Sequence, residues 1–149
     1  MFLKQIKIEH GLFHNLKLEK IMIKEIPEGA VSTVYRVPYA DTDMMGVVYY
    51  GNYLTLFERC RNEVMRKTGV TYKEMEERDK AMLPVIEAHV DYNKPARYDD
   101  ELTIYGWLAA AGGVRIKVCC VVKRGEELLA SGYTVHACVS TENMRPMRL

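Results

Sequence analysis

Asn52-Tyr53-Leu54-Thr55-Leu56-Phe57-Glu58-Arg59-Cys60-Arg61-Asn62-Glu63-Val64-Met65-Arg66-Lys67-Thr68-Gly69 is the one long stretch of the chain with a helical period. Tyr53, Leu56, Phe57, Cys60 and Val64 recur at spacings of three and four, while Glu58, Arg59, Arg61, Asn62, Arg66 and Lys67 fall elsewhere. That pattern makes a single apolar stripe on an otherwise polar helix. The end of the helix is better marked than its start. Gly69 follows the last turn as a C-terminal cap, and Arg66 and Lys67 stabilise the negative end of the helix dipole.

On both sides of this helix the period falls to two. Upstream, Val31 to Tyr39 is a β-rich run. Downstream, a charged linker carries a second short helix, Tyr72 to Asp79, and four strand-like segments follow. In the first, Ile86, Ala88, Val90 and Tyr92 alternate with Glu87, His89, Asp91 and Asn93, as in a half-buried strand. Leu102, Ile104, Gly106 and Leu108 alternate with Thr103, Tyr105 and Trp107; after a Gly112-Gly113 turn, Val114 to Val122 alternates with Arg115 to Lys123. Arg124-Gly125-Glu126 turns the chain into Leu128 to Val139, apolar on both faces. Such a meander cannot bury its apolar face against itself, but a long helix with one apolar stripe fills the hollow of a curved sheet. The expected class is α+β, a curved antiparallel sheet wrapped around one central helix.

The 149 residues suit one compact domain that folds without disulfides or metal. Met1 to about Gly29, with five lysines among scattered Ile, Leu and Phe, fits no single period and reads as an N-terminal extension to a domain spanning 30–149. Within it, Met1 to about Ile21 is expected to be dispensable. Lys and Arg number 21 against 20 Asp and Glu, so the overall field favours neither nucleic acid nor an anionic membrane surface. An anionic ligand needs a local basic cluster. Cys60, Cys119, Cys120 and Cys138 form no CxxC pair and read as buried reduced thiols. With no apolar run near the roughly 18 residues of a membrane span and no secretory signal pattern, the cytoplasm is the expected location.

Between the first strand and the long helix stands Tyr39-Ala40-Asp41-Thr42-Asp43-Met44-Met45-Gly46-Val47-Val48-Tyr49-Tyr50-Gly51-Asn52-Tyr53. Its Asp-x-Asp, two residues, Gly, two apolar residues, an aromatic and then Asn-Tyr opening a helix resembles the signature of the hot-dog-fold acyl-CoA thioesterases of the 4-hydroxybenzoyl-CoA thioesterase type. Phe57 to Arg61, Tyr92 to Asp100 and Met144-Arg145-Pro146 resemble later motifs of that family, in family order, and the likeness extends from about Val31 to Leu149. The resemblance implies that Asp43 is the catalytic carboxylate, acting as nucleophile through an anhydride or as general base for water. It also implies that a helix N-terminus polarises the thioester carbonyl, through the amide of Tyr50 by its position in the motif. On residue type alone, Asp43 reads as a turn former or N-cap, with Asn52 a second possible cap. Asp41 reads as a turn-stabilising carboxylate.

Tyr39, four residues before Asp43, either orients water or the carboxylate or simply packs. Tyr50 stands where some relatives carry His, so the proton transfer a His would support is in doubt; a phenol with a pKa near 10 is a poor base. His10, His14, His89 and His136 form no metal or triad constellation, and no cofactor or metal is called for.

The implied substrate is an acyl-CoA, or the matching acyl carrier protein thioester. Lys94, Arg97, Arg115, Lys117, Arg145 and Arg148 are the candidate cations for the coenzyme A phosphates. Two other readings stay open: a hot-dog hydratase or dehydratase, weakened by the lack of His between Tyr39 and Tyr53, and a non-catalytic acyl-binding domain, weakened by the intact Asp43. A single helix in a single curved sheet leaves one sheet edge and one side of the pocket open, so a homodimer or homotetramer with sites at the interface is expected.

Overall fold

A computed structural model describes residues 25–148. The expectations for His10, His14 and the dispensable segment lie outside the described residues, as does most of the expected extension.

Among the described residues, two helices and seven strands follow in chain order: β1 (Val31–Arg36), α1 (Asn52–Lys67), α2 (Tyr72–Asp79), β2 (Ala81–Met82), β3 (Val85–Tyr92), β4 (Glu101–Gly112), β5 (Arg115–Arg124), β6 (Glu127–Ala137) and β7 (Val139–Ser140). Helix α1 ends where its sequence dictates, with Thr68 as C-cap and Gly69 at a φ of +87°. Thr71 and Glu74 form a capping box that starts α2, and Lys80 closes it in the left-handed region.

The main sheet has the order β1-β4-β5-β6-β3, antiparallel throughout. This corrects the expected meander. β3 pairs with β6, so the segment 93–100, with Pro95 in it, carries the chain past β6 and β5 to enter β4. A tight hairpin between β3 and β4 is thereby excluded. Leu128 to Val139 is likewise divided, because Cys138 leaves the ladder to donate to Val114 O, after which β7 pairs with β2 in a separate two-stranded sheet. β1 stops at Arg36, and Tyr39 begins a short 3₁₀ turn, Tyr39–Asp41, rather than ending the strand.

Irregular register at Val85/Glu87, Leu108/Ala110 and Val122/Lys123 bends the sheet, as bulges do. α1 lies in the hollow, closest to β4 and β1. Its stripe of Tyr53, Leu56, Phe57, Cys60 and Val64, with Met65 added, is buried against Leu102, Ile104, Ile116, Val118, Cys120, Val122 and Leu129. Each Leu, Phe or Ile so buried contributes about 2 kcal/mol, which a marginal isolated helix needs. All four cysteines are free and buried.

Two strands depart from simple alternation. β5, central in the sheet, is buried on both faces, Lys117, Cys119 and Val121 included. β3 departs the other way: Ile86, Ala88 and Tyr92, expected inside, are exposed, while Val90 packs against the core and the Tyr92 ring meets it only at Tyr53. The cause is the off-centre helix, which covers β1 and β4 and leaves this edge strand bare. No helix among the described residues is long and apolar enough to cross a membrane.

Candidate active site

Thr42 and Val48 form an isolated bridge that pinches the chain between β1 and α1 into a compact loop. Inside it, Gly46 N–H donates to Asp43 O at 2.9 Å and Asp43 N–H to Val47 O at 2.9 Å. The turn requires the positive φ of +71° at Gly46. Asp43 Oδ1 accepts the Met45 N–H at 2.8 Å, an Asx turn that holds the carboxyl group while its second oxygen has no partner among the described residues. Asp43 therefore forms a turn and presents an acceptor at once.

Asp41 is fixed differently. Its Oδ2 accepts the Tyr35 hydroxyl at 2.6 Å, so it ties the loop to β1 rather than bonding its own turn. Its carbonyl takes the Tyr49 N–H at 2.9 Å and the Asn52 side-chain amide at 3.1 Å. Asn52 is thus the first residue of α1 and not its cap; Gly51 holds the N-cap position, without a side-chain bond. No acidic residue occupies the first turn of α1, so its positive end is left uncompensated from within the helix. Tyr50 and Gly51 N–H groups meet no acceptor among the described residues.

These parts meet in a cleft of about 290 Å³, lined by Asp43, Met45, Val47, Val48, Tyr50 and Tyr53 on one side and by Tyr92, Asn93, Lys94 and Pro95 on the other. The segment 93–100 is bound to the loop through Val48 N–H to Ala96 O at 2.8 Å. Arg124 braces it from below: its guanidinium donates to Asp100 at 2.6 Å and pairs with Glu127, which Lys94 also holds at 2.7 Å. Lys94 and Arg124 keep the Glu127 carboxyl below its ordinary range, and burial pushes the Tyr53 phenol up. Depressions of about 420 and 500 Å³ lie elsewhere, beside Gly29, Val64 and Lys67 and beside Arg61, Tyr72 and Leu83; neither meets the start of α1.

Of the residues singled out in the sequence, Asp43 and Tyr50 come together here, with Lys94 on the rim. Arg97 stands beside the turn, Nη1 3.4 Å from Gly46 O. Tyr39 does not line the cleft; it is 78% exposed and packs edge-on against Tyr98. Arg115, Lys117 and Arg145 are not brought to it either. Arg115 opens the 10-residue β5 and Arg124 closes it, roughly 30 Å apart for an extended strand. Lys117 is buried on the convex face with its ammonium 3.6 Å from the Tyr133 ring centre. Arg145 and Arg148 follow β7, the former accepting the Ser140 N–H, at the Arg115 end of the sheet. Tyr53, Tyr92 and Arg124 were not singled out as site residues, although Tyr53 closes the signature before α1 and Tyr92 opens the Tyr92 to Asp100 motif.

Residues 45–131 match the family model described as the thioesterase superfamily, a span that begins two residues after Asp43. A protein named acyl-CoA thioesterase YbgC, from Haemophilus influenzae, is 32% identical over 112 residues, covering 75% of this chain and 82% of that protein. The 1,4-dihydroxy-2-naphthoyl-CoA hydrolase of Synechococcus elongatus is 25% identical over 107 residues, covering 71% and 79%. Among solved structures, the DHNA-CoA thioesterase of Staphylococcus aureus superposes with a TM-score of 0.77 at 30% identity, covering 80% of each chain.

Proposed function

Since the chain belongs to the thioesterase superfamily and has its hot-dog fold, we propose that it is an acyl-CoA thioesterase in which Asp43 drives hydrolysis at the start of α1. Hydrolysis of acyl-CoA thioesters is what the relatives' names support. The mechanism is inferred from one arrangement: a carboxylate with a free oxygen in the same cleft as a helix start whose first amides lack acceptors. The thioester carbonyl lies against the Tyr50 and Gly51 N–H groups, which stabilise the negative charge that develops on its oxygen. Asp43 then attacks the carbonyl carbon itself or takes a proton from the water that does, and coenzyme A leaves as the thiol. Lys94 and Arg97 are the cations nearest the cleft and the first candidates for the coenzyme A phosphates, Lys94 exchanging part of its bond to Glu127.

The open face of the cleft is closed by another copy. At about 290 Å³ it falls at the lower limit for a small-molecule pocket, and it is flanked by β3, an edge strand with Val85 and Ile86 half exposed. We therefore infer a homodimer joined along β3, acting in the cytoplasm.

The test is thiol release from aliphatic and aromatic acyl-CoAs by the wild type, Asp43→Asn and Asp41→Asn. Asn still accepts the Met45 N–H, so Asp43→Asn keeps the turn but can neither attack nor take a proton. Its kcat is expected to fall on the order of 10²-fold or more. Asp41→Asn still accepts from Tyr35 and is expected to retain most of its turnover, losing about 1 kcal/mol of stability as a charge-assisted bond becomes a neutral one. A folded Asp43→Asn enzyme with near-normal turnover, or equal losses at both positions, would remove Asp43 from the chemistry. Single-turnover hydrolysis in ¹⁸O-water separates the routes, since label enters the Asp43 carboxyl group only if it is the nucleophile.

A further inference from the structure

The Tyr50–Gly51 peptide is held from a distant part of the chain. The phenol of Tyr92, the last residue of β3, donates to the Tyr50 carbonyl oxygen at 2.9 Å. Its ring stands edge-on to Tyr53, 5.2 Å between centres at 85°, and Tyr53 is itself buried under α1. In a planar trans peptide, the C=O of one residue and the N–H of the next point in opposite directions. A bond that fixes the Tyr50 carbonyl therefore fixes the Gly51 N–H on the far side of the same plane. Apart from Tyr92, the carbonyl receives, among the described residues, only the Tyr53 N–H at 3.4 Å, outside the usual range for such a bond. The preceding peptide needs no such help. Tyr49 O accepts the Asn52 N–H at 2.9 Å, a bond local to the turn, and that bond aims the Tyr50 N–H.

Burial, and secondarily the neighbouring Tyr50, keep the Tyr92 phenol above its ordinary value, so it stays a donor across the neutral range. Gly51 has its own constraint. A Cβ there would lie 2.8 Å from the Tyr49 ring, so a larger residue would have to move that half-exposed side chain from its place over the peptide.

We propose that Tyr92 is a positioning residue that aims the Gly51 amide as the second oxyanion donor beside that of Tyr50, which makes the end of β3 part of the catalytic apparatus. This rests on the thioesterase reading of the cleft. It extends that reading from the loop and helix to the edge strand.

Tyr92→Phe tests it, because the variant keeps the ring and its contact with Tyr53 and removes only the hydroxyl. Losing a fixed donor costs 10²- to 10³-fold in other enzymes, and loosening one should cost less. The expected result is a fall in kcat of about tenfold with KM within about twofold and an unchanged thermal midpoint. Two coenzyme A analogues supply a readout that a structural role would not move. A trifluoromethyl ketone, which mimics the oxyanion on adding a nucleophile, should bind about tenfold more weakly to the variant. The unreactive thioether, which carries no developing charge, should bind equally to both. Unchanged kcat, or equal weakening of both analogues, overturns the inference. If the wild type releases no thiol from any acyl-CoA, the hydrolase reading fails and this one with it; an active wild type matched by an equally active Tyr92→Phe overturns this one alone.

Discussion

His136 is fully buried in β6 with both ring nitrogens engaged, Nδ1 2.9 Å from Leu83 O and Nε2 2.8 Å from the Thr134 hydroxyl. Nδ1 faces a carbonyl and must donate, so in the neutral ring Nε2 accepts from the Thr134 hydroxyl. Burial lowers its pKa from the ordinary 6.5; the Leu83 bond opposes this and Arg61 adds to it. The unfolded chain therefore takes up a proton near pH 6.5 while the native ring takes it up only at lower pH. Between those values the unfolded state binds more protons, so stability falls as pH drops below 6.5, by up to about 1.4 kcal/mol per pH unit. Urea midpoints should decline from pH 7.5 to 5.5, and His136→Gln, which keeps a donor and an acceptor, should flatten the decline. An identical pH dependence in the variant would remove His136 as its source. The same residue-level reading divides the two acids of the loop: Asp41 is committed to Tyr35, whereas Asp43 keeps an oxygen for the cleft.

Among the elements, β3 depends most on one backbone position. Gly132 of β6 sits opposite Val90, and a Cβ there would lie 2.0 Å from His89 O and 2.9 Å from the Phe57 ring. A backbone carbonyl cannot turn aside as a side chain end can, so Ala at this position must push β3 off β6 or α1 off the sheet. Gly132→Ala is expected to cost about 3 kcal/mol, at the upper end for overpacking, with a clear drop in denaturant midpoint. A change below about 0.5 kcal/mol would mean that the ladder slides without strain there. Since β3 carries Tyr92, the variant should also lose kcat beyond its loss of stability. This coupling between the packing of an edge strand and the order of a helix start is a property of the sheet order, not of either element alone.

For the whole molecule, β3 leaves Val85 and Ile86 half exposed and its outer backbone groups unpaired within the described residues. An apolar open edge of this kind pairs with another strand. Light scattering should give the mass of a dimer or a multiple of it, and Ile86→Lys should shift the protein toward monomer and reduce turnover by opening the cleft. A wild-type monomer with full activity at assay concentration would contradict both expectations. The buried thiols give the protein an inert redox character. Cys120, its thiol raised well above the ordinary value by a hydrogen bond with the Cys60 thiol and by burial, has little thiolate at neutral pH.

The sequence by itself determined what depends on local period and turn chemistry. The stripe from Tyr53 to Val64 and the Gly69 stop gave α1, and Tyr72 to Asp79 gave α2. The motif resemblance pointed to the family that the comparisons then showed. What only the tertiary structure decided is which strands touch and which cations reach the cleft. Alternation says that Ile86, Ala88 and Val90 share a face but not whether a helix covers it, and α1 lies over β4 and β1 instead. Chain order places β3 beside β4, yet β3 pairs with β6, because antiparallel neighbours are chosen by burial across the sheet and not by sequence distance. Lys94 and Arg115 looked alike as basic residues flanking strands. The length of β5 puts them at opposite ends of the molecule, and a separation along an extended strand becomes a functional distinction only once the strands are laid side by side.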